Sequence, residues 1–215
     1  MGPAAALAAP ARGAPRAGVD RAVVRFVAPE IGGVMSPQFI FERELAFEAR
    51  LEALSDIGFR VTEATPFRER HVRAAMERHV AESLLAGLRM DRAPSEAELR
   101  LRARDARAAW AQRAGGERAI VSAAEAEGLS QAELLRVFRR QARASLYVDR
   151  MITPMLRPSR AELESLHASA ETPFRRLSFR EAEPHLRRWY VSRRLAAALQ
   201  EFYQNARARV QIHLL

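Results

Sequence analysis

The chain contains no cysteine and no lysine. The first absence excludes disulfides and thiolate-bound metals, and it is a composition often met in periplasmic proteins. The second is less usual. All 35 basic residues are arginine, although lysine is an equally good point charge for phosphate. An arginine-only, alanine-rich chain points first to GC-rich coding bias. The net charge of +9 keeps a second reading open, a surface for nucleic acid. No apolar run approaches the roughly 18–20 residues that cross a bilayer.

Catalytic spacing is also missing. The five histidines, His71, His79, His167, His185 and His213, are scattered and form no HExxH or comparable ligand set. There is no G-x-S-x-G elbow, no Walker loop and no dinucleotide fingerprint. The carboxylates sit at helix starts and on solvated faces, where capping and the helix dipole account for them. The expectation is a protein that is not an enzyme, with no metal and no cofactor. His79 lies on an apolar stripe and reads as a satisfied core residue.

What is present is mostly helix. At 48% hydrophobic and 28% charged residues the composition is that of a folded globular chain. Residues 1–18 are rich in Ala, Pro and Gly and lack amphipathic period. They read either as the remnant of an export signal, without its basic segment, or as an unstructured tail. The rest, 19–215, reads as one domain.

Helix starts are written repeatedly. Ser95/Glu98, Ser130/Glu133, Ser159/Glu162 and Ser178/Glu181 each have the capping-box spacing. Ser36-Pro37 and Thr65-Pro66 read as two further starts, with Pro in the first turn. Gly115-Gly116 and Gly128 stand where helices should stop. A helix from Ser36 to about Leu54, another after Thr65, and a long one from Ser130 to about Met155 follow. On that last helix Arg136, Arg139, Arg140, Arg143 and Arg150 gather opposite the apolar face. They read as a solvated face or as a basic ridge for an anionic partner. In the closing helix Trp189, Ala196, Leu199 and Tyr203 form an apolar stripe.

The chain closes on a strand. Val210, Ile212 and Leu214 alternate with Arg209, Gln211 and His213, the period of a half-buried strand. A lone strand cannot satisfy its backbone groups. The other strand candidate is Val19–Val27. The expected fold is therefore mainly α: about seven helices closed by a small antiparallel pair of the N- and C-terminal strands.

The order of these pieces resembles a known family. VDRAVVRFV leads through a Gly turn to SPQFIFERELAFEARLEAL, then FRERHVRAAMERHVAESLLAGLRM and APSEAELRLRARDA. EGLSQAELLRVFRRQARASLYVDRMI and PHLRRWYVSRRLAAALQEFYQNARARVQIHLL follow. This resembles the chaperone module of the SurA-like, PpiC-associated family of periplasmic folding factors, over about Val19–Leu215. The resemblance implies a chaperone or holdase that binds unfolded, outer-membrane-type polypeptides in the periplasm. Members commonly insert parvulin prolyl-isomerase domains before the closing helix; here 158–178 is far too short, so isomerase activity is not implied. A helical cradle with adaptable Met and aromatic side chains would serve such a role. The candidate peptide-binding residues are Phe39, Phe41, Met76, Phe138, Tyr147, Met151 and Met155. Two alternatives stay open: a basic all-α nucleic-acid-binding protein, and a degenerate isomerase-family scaffold subunit. Outside the periplasm, a cytoplasmic location is the other expectation.

Overall fold

The computed structural model describes residues 20–31, 34–169 and 172–215. The stretch 1–18, Val19 and the Gly32-Gly33 turn lie outside the described residues, so the export-signal expectation does too.

The first strand, β1 (Ala22–Ala28), is followed by a single helical turn over Pro29–Ile31 and by β2 (Val34–Phe41). β2 pairs antiparallel with β1. This corrects the reading of Ser36-Pro37 as a helix start. Phe39, Ile40 and Phe41 are strand residues, and the helix α1 (Glu42–Ser55) begins only at Glu42. Ser-Pro is ambiguous for a physical reason. Pro is as acceptable on an edge strand as at the first position of a helix, and β2 is an edge strand in a sheet ordered β2-β1-β3.

Helices α2 (Glu69–Gly87), α3 (Glu96–Ala114), α4 (Glu117–Ala126) and α5 (Gln131–Tyr147) come next. The Thr65-Pro66 start is also corrected. Thr62 and Thr65 close a turn on each other, with the Thr65 N–H donating to Thr62 Oγ1 at 2.9 Å. α2 starts after Arg68, whose N–H donates to His71 Nδ1 at 3.0 Å. Here an imidazole occupies the place a capping glutamate usually takes. The four Ser/Glu capping boxes all form, each Glu accepting from the backbone N–H of its Ser. Gly115, Gly116 and Gly128 carry positive φ at the expected stops.

The helix expected to reach Met155 ends at Tyr147. A π turn over Val148–Ile152 and a 3-10 turn over Thr153–Leu156 replace its last segment. Then α6 (Arg160–Ala168) and the long α7 (Phe179–Arg209) lead into β3 (Gln211–Leu214). β3 pairs antiparallel with β1, Val24 opposite Leu214 and Phe26 opposite Ile212. The predicted meeting of the chain ends is present, and β2 extends the expected pair to a three-stranded antiparallel sheet. The described residues form seven α-helices, and the fold is mainly α. No described helix is long and apolar enough to cross a membrane.

α1 is the hub. Leu45 and Ala49 face the sheet and join Val24, Phe26, Ile40, Ala75 and Leu84 in one apolar cluster. Phe47 and Leu51, on the opposite side, join Trp110, Ile120, Leu134 and Phe138 in a second. Burying one such side chain contributes about 1.5–3 kcal/mol, so these two clusters hold the body. Leu163, Ala182 and Leu186 form a small third cluster that binds α6 to the start of α7.

Candidate functional site

A third side of α1 carries Glu44, Glu48 and Glu52, spaced four apart to lie one above another. Glu48 is fully buried. Arg140 of α5 reaches it, engages Glu44 Oε1 at 2.5 Å and lies 3.3 Å from Glu82 Oε2 of α2. His79 Nδ1 lies 3.2 Å from Glu48 Oε1. Arg78 pairs with Glu52 and lies 3.5 Å from Glu48 Oε2. Its guanidinium also stands 4.4 Å from the Trp110 ring centroid. Burial alone would push the Glu48 carboxyl up; Arg140, His79 and Arg78 outweigh it and hold the group far below the usual carboxylate range. At Glu82 burial wins, helped by the Glu48 charge against Arg140 and Arg78, and pushes the carboxyl up to about 7.

Glu44, Glu48 and His79 place carboxylate and imidazole atoms within 4.8 Å of one another, a donor set that could hold a metal ion. Arg140 engages both of these carboxylates, at Oε1 of Glu44 and of Glu48. The cationic position is filled by a guanidinium. The cluster acts as an ion-paired lock among α1, α2 and α5.

The arginine ridge on α5 dissolves into such contacts. Arg139 forks onto Glu96 of α3 at 2.5 and 2.6 Å. Arg143 donates to the carbonyl of Ala86, and Arg150 to Glu98 and to the carbonyl of Arg92. Of the five, Arg136 alone points chiefly to solvent, with 71% of its side chain exposed and Glu133 at 3.8 Å. The ridge is a set of struts to α2 and α3. The solvated reading holds for Arg136 and Arg139, which are exposed, whereas Arg140, Arg143 and Arg150 are drawn onto partners in the neighbouring helices.

A cleft lies on the other side of α2. Met76, Val80, Ala81 and Leu84 of α2, Gln200 and Gln204 of α7, and Val210, Ile212 and Leu214 line a cleft of about 680 Å³. This size falls within the range of small-ligand and peptide pockets. Beside the cleft, α7 meets the sheet-side cluster through Phe202, and Val210 follows it there. The start of α7 is packed by the Leu163 cluster, whereas from Arg187 onward no described side chain is fully buried. Trp189, Leu199 and Phe202 are half-buried rather than core, and Ala196 is exposed; the Tyr203 side chain lies outside the described ones. β3 follows with Ile212 at 38% and Leu214 at 78% exposure. Arg78 and Glu77 sit at the rim, so the ion-paired lock and the cleft share α2.

The sequence-predicted binding residues do not assemble into one site. Met76 lines the cleft. Phe41 lines a separate hollow of about 190 Å³ with Asp20, Arg43 and Leu129. Phe39 is exposed on β2 opposite Arg25. Phe138 is 2% exposed and belongs to the core, which removes it as a contact residue. Tyr147 and Met151 are half-buried at the end of α5, and Met155 is exposed in the 3-10 turn. Val80, Leu84, Gln200, Gln204, Val210, Ile212 and Leu214 were not expected as site residues. The one sequence signal for them was the alternation in the closing strand.

No protein-family model, curated protein or solved structure matches this chain.

Proposed function

We propose that this protein is a non-catalytic, periplasmic holdase that binds unfolded, outer-membrane-type polypeptide in the cleft between α2, α7 and β3. The observation that carries the reading is that cleft: about 680 Å³, open, and lined largely by Met76, Val80, Leu84, Val210, Ile212 and Leu214. An exposed apolar groove of this kind shields apolar segments weakly and without demanding a sequence. Met76 adds an adaptable side chain at its wall. The helix-strand closure onto β1 agrees with the SurA-like resemblance, which supplies the location and the client class. The nucleic-acid reading loses its main support, because Arg139, Arg140, Arg143 and Arg150 are committed within the fold.

The test is suppression of aggregation. A denatured outer-membrane barrel protein is diluted from urea with and without this protein, and light scattering is followed. Suppression by the wild type is expected, together with its loss in Met76→Glu and Leu214→Asp variants that keep native circular dichroism. No suppression by the wild type at several-fold molar excess would sink the reading.

A further inference from the structure

β3 leaves main-chain groups unused. Its register with β1 sets Val24 opposite Leu214, Arg25 opposite His213, Phe26 opposite Ile212 and Val27 opposite Gln211. Leu215 donates its N–H to the Val23 carbonyl at 3.0 Å. In an antiparallel ladder, alternate residues exchange both bonds with the partner, and the residues between them point the other way. Leu215, His213 and Gln211 are thus committed to β1. Ile212 and Leu214 turn their N–H and C=O groups outward, to an edge that no other described strand occupies. Their side chains line the cleft.

The two edges of the sheet are built differently. β2 carries Pro37, which has no N–H, and two register irregularities against β1. Both features blunt an edge against further pairing. β3 has no Pro and runs in unbroken register with β1.

We infer that the cleft takes its guest as an added strand: an extended polypeptide of alternating apolar and polar residues pairs its main chain with Ile212 and Leu214 and sends every second side chain into the cleft. The inference rests on the cleft being the binding site for unfolded polypeptide and specifies the form of that polypeptide. Guest residues opposite Ile212 and Leu214 share their face and meet Met76, which is half-buried at the cleft wall. The intervening residues stand on the face of Gln211 and His213, which is polar. A helical guest could not use this edge, because its own backbone groups are already bonded to one another. Two residues offer four main-chain groups. These fix register and direction, while the cleft supplies most of the affinity.

The experiment measures binding of a fluorescein-labelled peptide to the intact protein by anisotropy. The peptide alternates Val or Phe with Thr or Ser in a non-repeating order. Two N-methylated versions are compared, one blocked at every apolar position and the other at every polar position. A loss of about tenfold or more in one version only is expected: the apolar version for an antiparallel guest, the polar version for a parallel one. Equal effects in the two versions overturn the added strand but leave the cleft as a binding site. A parent peptide that does not bind at all overturns both. On the protein side, Leu214→Pro removes an outward N–H without touching a bond to β1. It should weaken binding about fivefold beyond Leu214→Ala, which removes the side chain alone. A peptide-independent dimer, seen by sedimentation and lost in Leu214→Pro, would assign the edge to a second copy of this chain and overturn the inference.

Discussion

Arg140 and Glu48 face each other across the centre of the body, a guanidinium of α5 closed on a fully buried carboxylate of α1. Removing one member leaves the other charged and dry. Arg140→Met is expected to cost about 3–5 kcal/mol, and the double variant Arg140→Met/Glu48→Leu distinctly less than the sum of the single changes. Urea denaturation of the wild type and the three variants gives the four free energies.

Glu82 gives stability an unusual pH dependence. Its carboxyl is pushed up to about 7 in the folded protein from 4.5. The folded state therefore holds a proton that the unfolded state has lost, and stability falls as pH rises from about 4.5 through about 7. The change from this group is on the order of 3 kcal/mol. Glu48 acts oppositely: its lowered value contributes stability above 4.5 that is lost as pH falls below it. Denaturation between pH 4 and 8 should show a maximum on the acid side of neutrality. In Glu82→Gln the decline toward pH 8 should flatten, and an unchanged slope would refute the assignment.

The capping boxes make a local forecast. In each, the Ser hydroxyl accepts from the N–H three residues on and the Glu carboxylate accepts from the Ser N–H. Ser130→Ala is expected to destabilise by about 1 kcal/mol and Ser130→Asp by much less. Thermal melts of the two variants separate capping from any other role of the hydroxyl.

The Leu163 cluster should open on its own. It joins α6 to the start of α7 through Leu163, Ala182 and Leu186, apart from the two larger clusters. Leu186→Ala is expected to cost about 2–3 kcal/mol locally. Amide exchange should speed up across α6 and the first turns of α7, while α1 and α5 keep their protection. Uniform loss of protection would show that the cluster is not a separate cooperative unit.

The parts of the fold that were legible in sequence are those fixed by neighbours along the chain. Four Ser/Glu spacings located four helix starts, and glycines at positive φ located the stops. The alternation Val210, Ile212, Leu214 located a strand, and the need of its backbone for a partner located β1. Ser36-Pro37 misled because a Pro in an edge strand and a Pro opening a helix look alike over four residues. Arg140 was illegible for another reason. An arginine facing solvent and one facing three glutamates on two other helices occupy the same helical position, and only tertiary packing separates them. The cleft was hidden likewise: Val80 and Leu84 read as core, as they are, and nothing local says that a cleft opens between them and the α7–β3 segment.

Joining Val24 to Leu214 has a cost in time. The two lie 190 positions apart. At about 5–20 residues per second, a ribosome finishes β1 on the order of ten to forty seconds before β3. Through that interval the β1–β2 hairpin can form, but the flank of β1 that later receives Gln211, His213 and Leu215 stays bare. Long-range pairing of this kind is slow and invites substitution by a stranger's strand. β3 is thus also the segment that seals the fold against its own misassembly.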